Sequence, residues 1–281
     1  MFLSEIILCT FNSGAFIEDC LYSVLPQLSH DIRLYIIDDA STDNTFAIIH
    51  DLTNPYSNLV TSFRNKKNLG LTFNLNSYLS LNRASYTFRM DSDDVAFSRR
   101  FSTQLNFALS NPDIDIIGSL AVKISQRGDY LGVSYKPLLE PDIYSCVYRN
   151  PFIHSSVLFK TSSILAVGNY NTLLRYGQDY DLWFRCVLSK LKVVNLAIPL
   201  LFLRVSSRHK YSSLVYWREF VIGIKGSYSC RLPLYSFLLI FSRLAYGVAA
   251  NSCQKLGSLI LSFAVTFRKV ALLGRHSGGL G

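Results

Sequence analysis

Short β-rich runs that break into polar loops alternate, through the first half of this chain, with stretches whose apolar residues recur at helical spacing. Residues 6–10, 32–37, 59–63 and 86–90 read as strands, and residues 15–25, 42–52 and 72–81 read as helices between them. A βαβα order of this kind closes as an α/β fold, a mostly parallel sheet flanked by helices. Further on, residues 113–125 and 130–134 flank Gln126-Arg127-Gly128-Asp129, a hairpin turn. Open parallel sheets hold ligands beyond the carboxyl ends of their strands. The acids of this chain sit there: Asp38-Asp39 follow the second strand and Asp91-Ser92-Asp93-Asp94 follow the fourth. Both clusters are therefore expected to face one crevice.

Composition narrows the class. With 281 residues, 49% of them apolar and 17% charged, the chain buries a sizeable core, which excludes disorder and hints at a partner other than water. Six cysteines without a Cys-x-x-Cys pair argue for buried thiols in a reducing compartment and against zinc or a disulfide scaffold. Residues 2–9 are apolar but contain Glu5 and lack a basic segment ahead of them, so they read as the first strand rather than a signal peptide, and a cytoplasmic location is expected. No Gly-x-x-x-x-Gly-Lys-Ser/Thr loop and no Gly-x-Gly-x-x-Gly after the first strand is present, which argues against ATPases and ordinary dehydrogenases.

Three carboxylates within four residues at a strand end repel one another unless a cation shares the site. Magnesium or manganese suits so few protein oxygens, because either ion keeps waters and binds substrate phosphates. The competing reading of Asp91-Ser92-Asp93-Asp94 is a solvated acidic turn ahead of the next helix. At this point the arrangement resembles the family-2 inverting glycosyltransferases, nucleotide-sugar enzymes of GT-A fold. The resemblance is carried by Thr10-Phe11-Asn12, the run from Ile36 through Asp38-Asp39-Ala40-Ser41 to Thr45, Asn68-Leu69-Gly70-Leu71, Arg89-Met90-Asp91-Ser92-Asp93-Asp94, and Gly177-Gln178-Asp179-Tyr180-Asp181-Leu182-Trp183. These five segments keep the family's order over about residues 5–206.

The resemblance implies a role for each matching residue. Thr10, Phe11 and Asn12 would flank the nucleotide, with Phe11 stacking on the base where the family often has Tyr. Asp39 would accept from the base imide N–H, which favours uridine, and Asp38 would shape the loop beside it. Asn68 and Gly70 would close over the nucleotide, although Asn-x-Gly is also an ordinary turn signal. Asp91 would lie near the ribose, and Asp93, with Asp91 beside it, would bind the metal that bridges the diphosphate. Asp179 aligns with the catalytic base that takes the acceptor's proton. Asp181, four residues before Arg185, suits a structural ion pair instead. His154 matches a recurring position that reaches the diphosphate or the acceptor, and Arg204 falls where relatives place a phosphate-directed arginine. Ser85 and Ser98 depart from the family pattern, which usually has Gly and Pro there. Read without the resemblance, Asp39 or Ser41 is a helix cap, Asp179 a first-turn acid and His154 a structural hydrogen-bonding residue.

The charge excess of +9 is concentrated in one place. Residues 1–206 hold 18 Lys/Arg and 18 Asp/Glu, whereas residues 207–281 hold 10 basic residues against the single Glu219. The second segment also carries uncharged runs at 232–242, 244–254 and 256–267, each shorter than the roughly 18–20 residues of a spanning helix. The expected organisation is thus a GT-A domain over 1–206 and a basic, apolar helical extension over 207–281. Basic apolar helices suit the anionic inner face of a membrane, and the apolar runs do not suit nucleic acid. An extension packed on the catalytic domain or on a second subunit is the alternative.

The expected activity is metal-dependent, inverting transfer of a sugar from a nucleoside diphosphate, UDP favoured, to a lipid-linked or surface-polysaccharide acceptor, by a protein peripheral to the cytoplasmic face of the membrane. Two rivals share the acids: a non-catalytic nucleotide-sugar-binding or membrane-scaffold subunit, and a nucleotidyltransferase that would release pyrophosphate.

Overall fold

The structure is a computed structural model that describes residues 3–81, 84–134, 140, 141, 146, 150–174, 176–205 and 221. The chain divides into two compact units, residues 1–141 with 151–206 and residues 142–150 with 207–281. The helical extension expected over 207–281 lies outside the described residues, apart from Val221. All elements named here belong to the first unit.

The chain runs β1 (Ser4–Thr10), α1 (Ile17–Val24), β2 (Ile32–Asp38), α2 (Thr45–Thr53), β3 (Val60–Arg64), α3 (Leu71–Leu81), β4 (Tyr86–Asp91), the two-residue β5 (Val95–Ala96) and α4 (Arg100–Ser110). After it come β6 (Ile116–Ile124), β7 (Tyr130–Val133), β8 (Leu158–Lys160), α5 (Thr161–Ala166), α6 (Gln178–Leu188) and β9 (Val193–Arg204). One sheet holds every strand in the order β3-β2-β1-β4-β8-β6-β9-β5, with β7 paired to β6. The block β3-β2-β1-β4 is parallel, β8 is antiparallel to both β4 and β6, and β6 and β9 run parallel.

Alternation along the central strands explains the layers. Ile6 and Leu8 of β1, Leu34 and Ile36 of β2 and Phe88 and Met90 of β4 pack against α1, α2 and α4. Ile7, Cys9 and Ile37 point to the opposite face, against α3, α5 and α6. Because both faces are covered, β1 is buried along its whole length. Helix α1 buries Ile17, Cys20, Leu21 and Val24, one stripe at the i, i+3, i+4, i+7 spacing. The second face is the more aromatic: Trp183 is fully buried, packed edge-on to Phe152 at 5.3 Å between ring centres.

Register then aligns the ends of the strands. Thr10 lies opposite Asp38 and Cys9 opposite Asp91, so β1, β2 and β4 finish side by side, and the Asp39 N–H donates to the Thr10 carbonyl at 2.8 Å. The hairpin around residues 126–129 also forms, between β6 and β7. Among the described residues no helix is long and apolar enough to cross a membrane.

Candidate active site

Three loops meet at the carboxyl ends of β1, β2 and β4. The loop after β1 is strapped to the loop after β2 by consecutive backbone amides: Asn12 N–H donates to Ser41 Oγ (2.9 Å), Ser13 N–H to Thr45 Oγ1 (2.8 Å) and Gly14 N–H to Asp43 Oδ2 (3.0 Å). Asn12 Oδ1 returns the contact by accepting from the Thr42 N–H at 2.8 Å. Asn12 and Ala40, one in each loop, adopt the left-handed region with φ of 51° and 62°. A Cβ on Gly14 would run into the Asn44 amide, so the loops approach as closely as a glycine permits. The first turn of α2 is capped by Asp43, whose Oδ1 accepts from the Thr45 N–H (3.0 Å) and hydroxyl (2.5 Å). Neither of the expected caps serves: the Ser41 hydroxyl donates to Asp38, and Asp39 turns the other way.

Asp38 is fully buried and ion-paired to Arg64 Nε at 3.1 Å. Asp39, 4% exposed, is a latch for residues 65–70. Its Oδ1 accepts from Asn65 Nδ2 (2.8 Å) and the Leu69 N–H (2.9 Å), and its Oδ2 accepts from the Gly70 N–H (2.8 Å). Burial opposes its charge, but the donors from Leu69, Asn74, Asn65 and Gly70 outweigh it and hold the carboxyl below the usual range. Asn68 stands exposed at the tip of this loop, and Gly70 closes it with φ of +86°.

The acids after β4 separate in role. Asp94 is buried and accepts from the Ser155 hydroxyl (2.5 Å) and the Arg204 N–H (2.8 Å), so it is spent on the framework. Asp91 accepts from Arg89, a fully buried arginine in the middle of β4. Burial raises the Asp91 pKa, but Arg89 and then His154 override it and hold the group low. Asp93 is pushed up to about 6, by burial first and by Asp91 second. Asp93 lines an open cavity of about 290 Å³ together with Phe11, Asn12, Ser13, Phe16, Ser92, Gln126 and Arg204. Phe11 is 47% exposed, which leaves a ring face free for stacking. Ser13 and Ser92 join the two sides of this cavity through a 2.8 Å hydroxyl contact.

Arg204, expected either to meet a phosphate or to be solvated, is instead occupied within the fold. Its Nε donates to the Asp93 carbonyl (2.8 Å), Nη1 to the Gln126 carbonyl (2.9 Å) and Nη2 to Asp19 (2.9 Å), with the guanidinium 4.9 Å from the Phe16 ring centre. A second buried arginine, Arg100, donates to the Arg89 carbonyl at 2.8 Å from behind the acid loop. The carboxylate repulsion noted in the sequence is thus partly met by the chain's own arginines. Among the described residues no three His, Cys, Asp or Glu side chains are placed to hold a metal by themselves. The donor set nevertheless suits a hard cation whose remaining ligands are waters and substrate phosphates, since Asp93 lines an open cavity and Asp91 acts on it.

Asp179 is the second residue of α6 and is half-buried. It lies close enough to raise the pKa of both His154 and Tyr170, and Asp91 acts on the same His154. Cys9 in turn feels Arg89, Asp91 and Asp39. Asp181 points away, paired to Arg185 Nε at 2.9 Å as the i, i+4 spacing suggests, while Arg185 also holds the Val167 and Asn169 carbonyls. Thr10 Oγ1 is buried at the strand end without a partner. Of the cysteines, Cys9, Cys20 and Cys186 are buried free thiols, and Cys146 is buried. Sequence reasoning gave no role of their own to Asp43 and Arg89, which lie in the quoted segments, and missed the strap residue Ser13, the latch partner Asn65, Arg100 and Tyr170. Of these, only Arg89 carries a local signal, a charge inside an otherwise apolar strand.

Comparison with known proteins places this geometry. The family model described as glycosyl transferase family 2 matches residues 5–160, more than half of the chain, and ends before Asp179. The amylovoran biosynthesis glycosyltransferase AmsE of Erwinia amylovora is 28% identical over 193 residues, 68% of this chain and 71% of that protein. A UDP-Gal:alpha-D-GlcNAc-diphosphoundecaprenol beta-1,3-galactosyltransferase of Escherichia coli is 29% identical over 175 residues, 62% of this chain and 63% of that protein. Among solved structures, the mannosyltransferase PcManGT of Pyrobaculum calidifontis, in complex with GDP-Man and Mn2+, superposes with a TM-score of 0.63 at 14% identity, covering 95% of this chain and 82% of that one. At that identity the likeness establishes the fold, which is GT-A. A sheet of this order, with its acids gathered where the parallel strands end, belongs to glycosyl transferase family 2, and the chain is a glycosyltransferase of that family.

Proposed function

We propose that the chain is a metal-dependent inverting glycosyltransferase that moves a sugar from a nucleoside diphosphate, UDP favoured, to a lipid-linked or surface-polysaccharide acceptor. The observation that carries this reading is that Asp93 lines the same cavity as Phe11, while Asp91 and Asp179 both act on His154. Asp93 thus reaches an opening with an aromatic side chain at its rim, and Asp91 and Asp179 share the neighbourhood of His154.

In this reading Phe11 stacks on the base, and the strapped loops of residues 10–14 and 38–45 form the wall around it. Asp38 braces that wall, and Asp39, Asn68 and Gly70 set the loop on the other side of the nucleotide. Asp39 takes N–H groups from Asn65, Leu69 and Gly70, and a base imide N–H would add to these donors. A divalent cation, Mg2+ or Mn2+, would be held by Asp93 with Asp91 and would offset the charge that builds on the departing diphosphate. Asp179 takes the proton from the acceptor hydroxyl as its oxygen attacks the anomeric carbon, so no covalent intermediate is needed. UDP as donor is supported by the name of the E. coli relative, a UDP-Gal galactosyltransferase, and a lipid-linked or polysaccharide acceptor by that relative and by AmsE. We place the protein on the inner face of the membrane through residues 207–281, on the strength of 10 basic residues against one acidic.

The test is turnover of UDP-sugars by the full chain with Mn2+, with chelator, and in Asp93→Ala and Asp179→Asn. Chelation and either substitution are expected to lower kcat by about 10²–10⁴, and full activity throughout would overturn the assignment. For attachment, the full chain is expected to pellet with anionic vesicles at low salt; equal pelleting without residues 207–281 would exclude the tail as anchor.

A further inference from the structure

The surroundings of His154 carry a device that the activity alone does not require. Tyr170 is 2% exposed and its backbone is gripped from α3 by Asn76: Asn76 Nδ2 donates to the Tyr170 carbonyl at 2.8 Å, and the Tyr170 N–H donates to Asn76 Oδ1 at 3.0 Å. The Tyr170 hydroxyl lies 2.9 Å from His154 Nε2, with the two rings 5.5 Å apart and Trp183 packed against the same imidazole at 6.1 Å. We propose that Tyr170 is a positioning residue whose hydroxyl donates to His154 Nε2 and fixes the imidazole as the tautomer carrying its proton on Nδ1.

The direction of that bond follows from satisfying a buried hydroxyl. Its proton needs an acceptor, and His154 Nε2 is the partner that the geometry provides. The reverse tautomer would point an N–H at the phenol oxygen and leave the phenol proton buried without a partner. Burial, with Arg89 second, pushes the His154 pKa down to about 4, so the ring is neutral near pH 7 and its tautomer decides what it can donate.

A neutral Nδ1–H in the neighbourhood of Asp91 and Asp179 is a donor for oxygen that gains charge as the nucleoside diphosphate leaves. This consequence rests on the glycosyltransferase reading of the site; the tautomer itself does not. Neither Tyr170 nor Asn76 touches the reacting atoms in this scheme, and both act through His154.

The experiment is a long-range 1H–15N correlation on the full chain labelled at its five histidines, with the His154 signals identified by their loss in His154→Ala. The expected result is a protonated Nδ1 and an unprotonated Nε2 in the wild type, shifting toward the Nε2–H form in Tyr170→Phe, which keeps the ring and the Asn76 clamp. Kinetically, Tyr170→Phe is expected to lower kcat about 10- to 100-fold with KM for the donor unchanged. Adding Tyr170→Phe to His154→Ala is expected to cost nothing further. A wild-type His154 protonated on Nε2 would overturn the proposal, as would a double variant whose loss is the product of the two single losses. A wild type with no donor turnover would instead defeat the glycosyltransferase reading, and the tautomer measurement would still decide the role of Tyr170.

Discussion

Asp39→Asn tests whether the carboxylate after β2 is a latch. In the wild type it takes N–H groups from Asn65, Leu69 and Gly70 at 2.8–2.9 Å while almost wholly buried. A hydrogen bond to a charged group contributes about 1.5–3 kcal/mol and a neutral one about 0.5–1.5, so removing the charge costs about 1 kcal/mol for each bond. The amide also turns an NH2 toward one of those donors. Three weakened bonds together give about 3 kcal/mol, on the order of 100-fold in a local opening equilibrium. The assay is hydrogen exchange at the Leu69 and Gly70 amides, read as protection relative to the unfolded chain. Both amides are expected to lose about 100-fold protection in Asp39→Asn, while amides in the middle of β1 stay protected. The sign with pH follows from a carboxyl held below its usual range: the latch is whole above the ordinary carboxylate pKa and is lost as pH falls through the folded value. Wild type and variant should therefore converge in strong acid. Protection within threefold of wild type at neutral pH would refute the latch.

Other perturbations separate the remaining roles. Glu5 is buried with its pKa raised by burial, against a 3.0 Å bond from the Tyr78 hydroxyl and the influence of Arg33. Its folded pKa lies above the unfolded one, so its stabilising contribution is present in acid and lost as pH rises; Glu5→Gln should gain denaturant resistance over wild type on going from pH 4 to pH 8, and a constant difference would refute this. Ala40→Gly removes a left-handed alanine that costs about 1–2 kcal/mol, less glycine's own entropic cost of about 0.5–1, so thermal unfolding should show a net gain near 0.5–1 kcal/mol. Asp181→Asn breaks a partly exposed ion pair worth about 0.5–1 kcal/mol and should leave kcat within about twofold, in contrast to Asp179→Asn; equal losses in the two would assign both acids to the same role.

What could be read along the chain was local. The strands ending at Thr10, Asp38 and Asp91 emerge from apolar runs punctuated by polar loops, and the Asp181–Arg185 pair from a four-residue spacing. Distance in sequence hid the rest. Arg204 reads as a strand-end cation, yet its Nη2 pairs with Asp19, 185 residues away, and its Nε with the Asp93 carbonyl, 111 residues away. The sequence leaves the oxygen that serves the start of α2 open, because Ser41, Asp39 and Asp43 are all capable; Asp43 does so because Asp39 is drawn to residues 65–70 and Ser41 to Asp38. The two-residue β5 carries no periodicity, and it exists because β9 returns beside it, with Phe97 stacked on Phe202 at 4.2 Å.

The strap between residues 12–14 and 41–45 bears on any attempt to retune the enzyme. A segment transplanted from a relative into the first loop alone would arrive with three amide protons facing foreign side chains, and one transplanted into the second alone would abandon the protons already there. If the proposed donor wall is right, its selectivity is inherited as a matched pair, and chimeras should exchange both pieces in a single step.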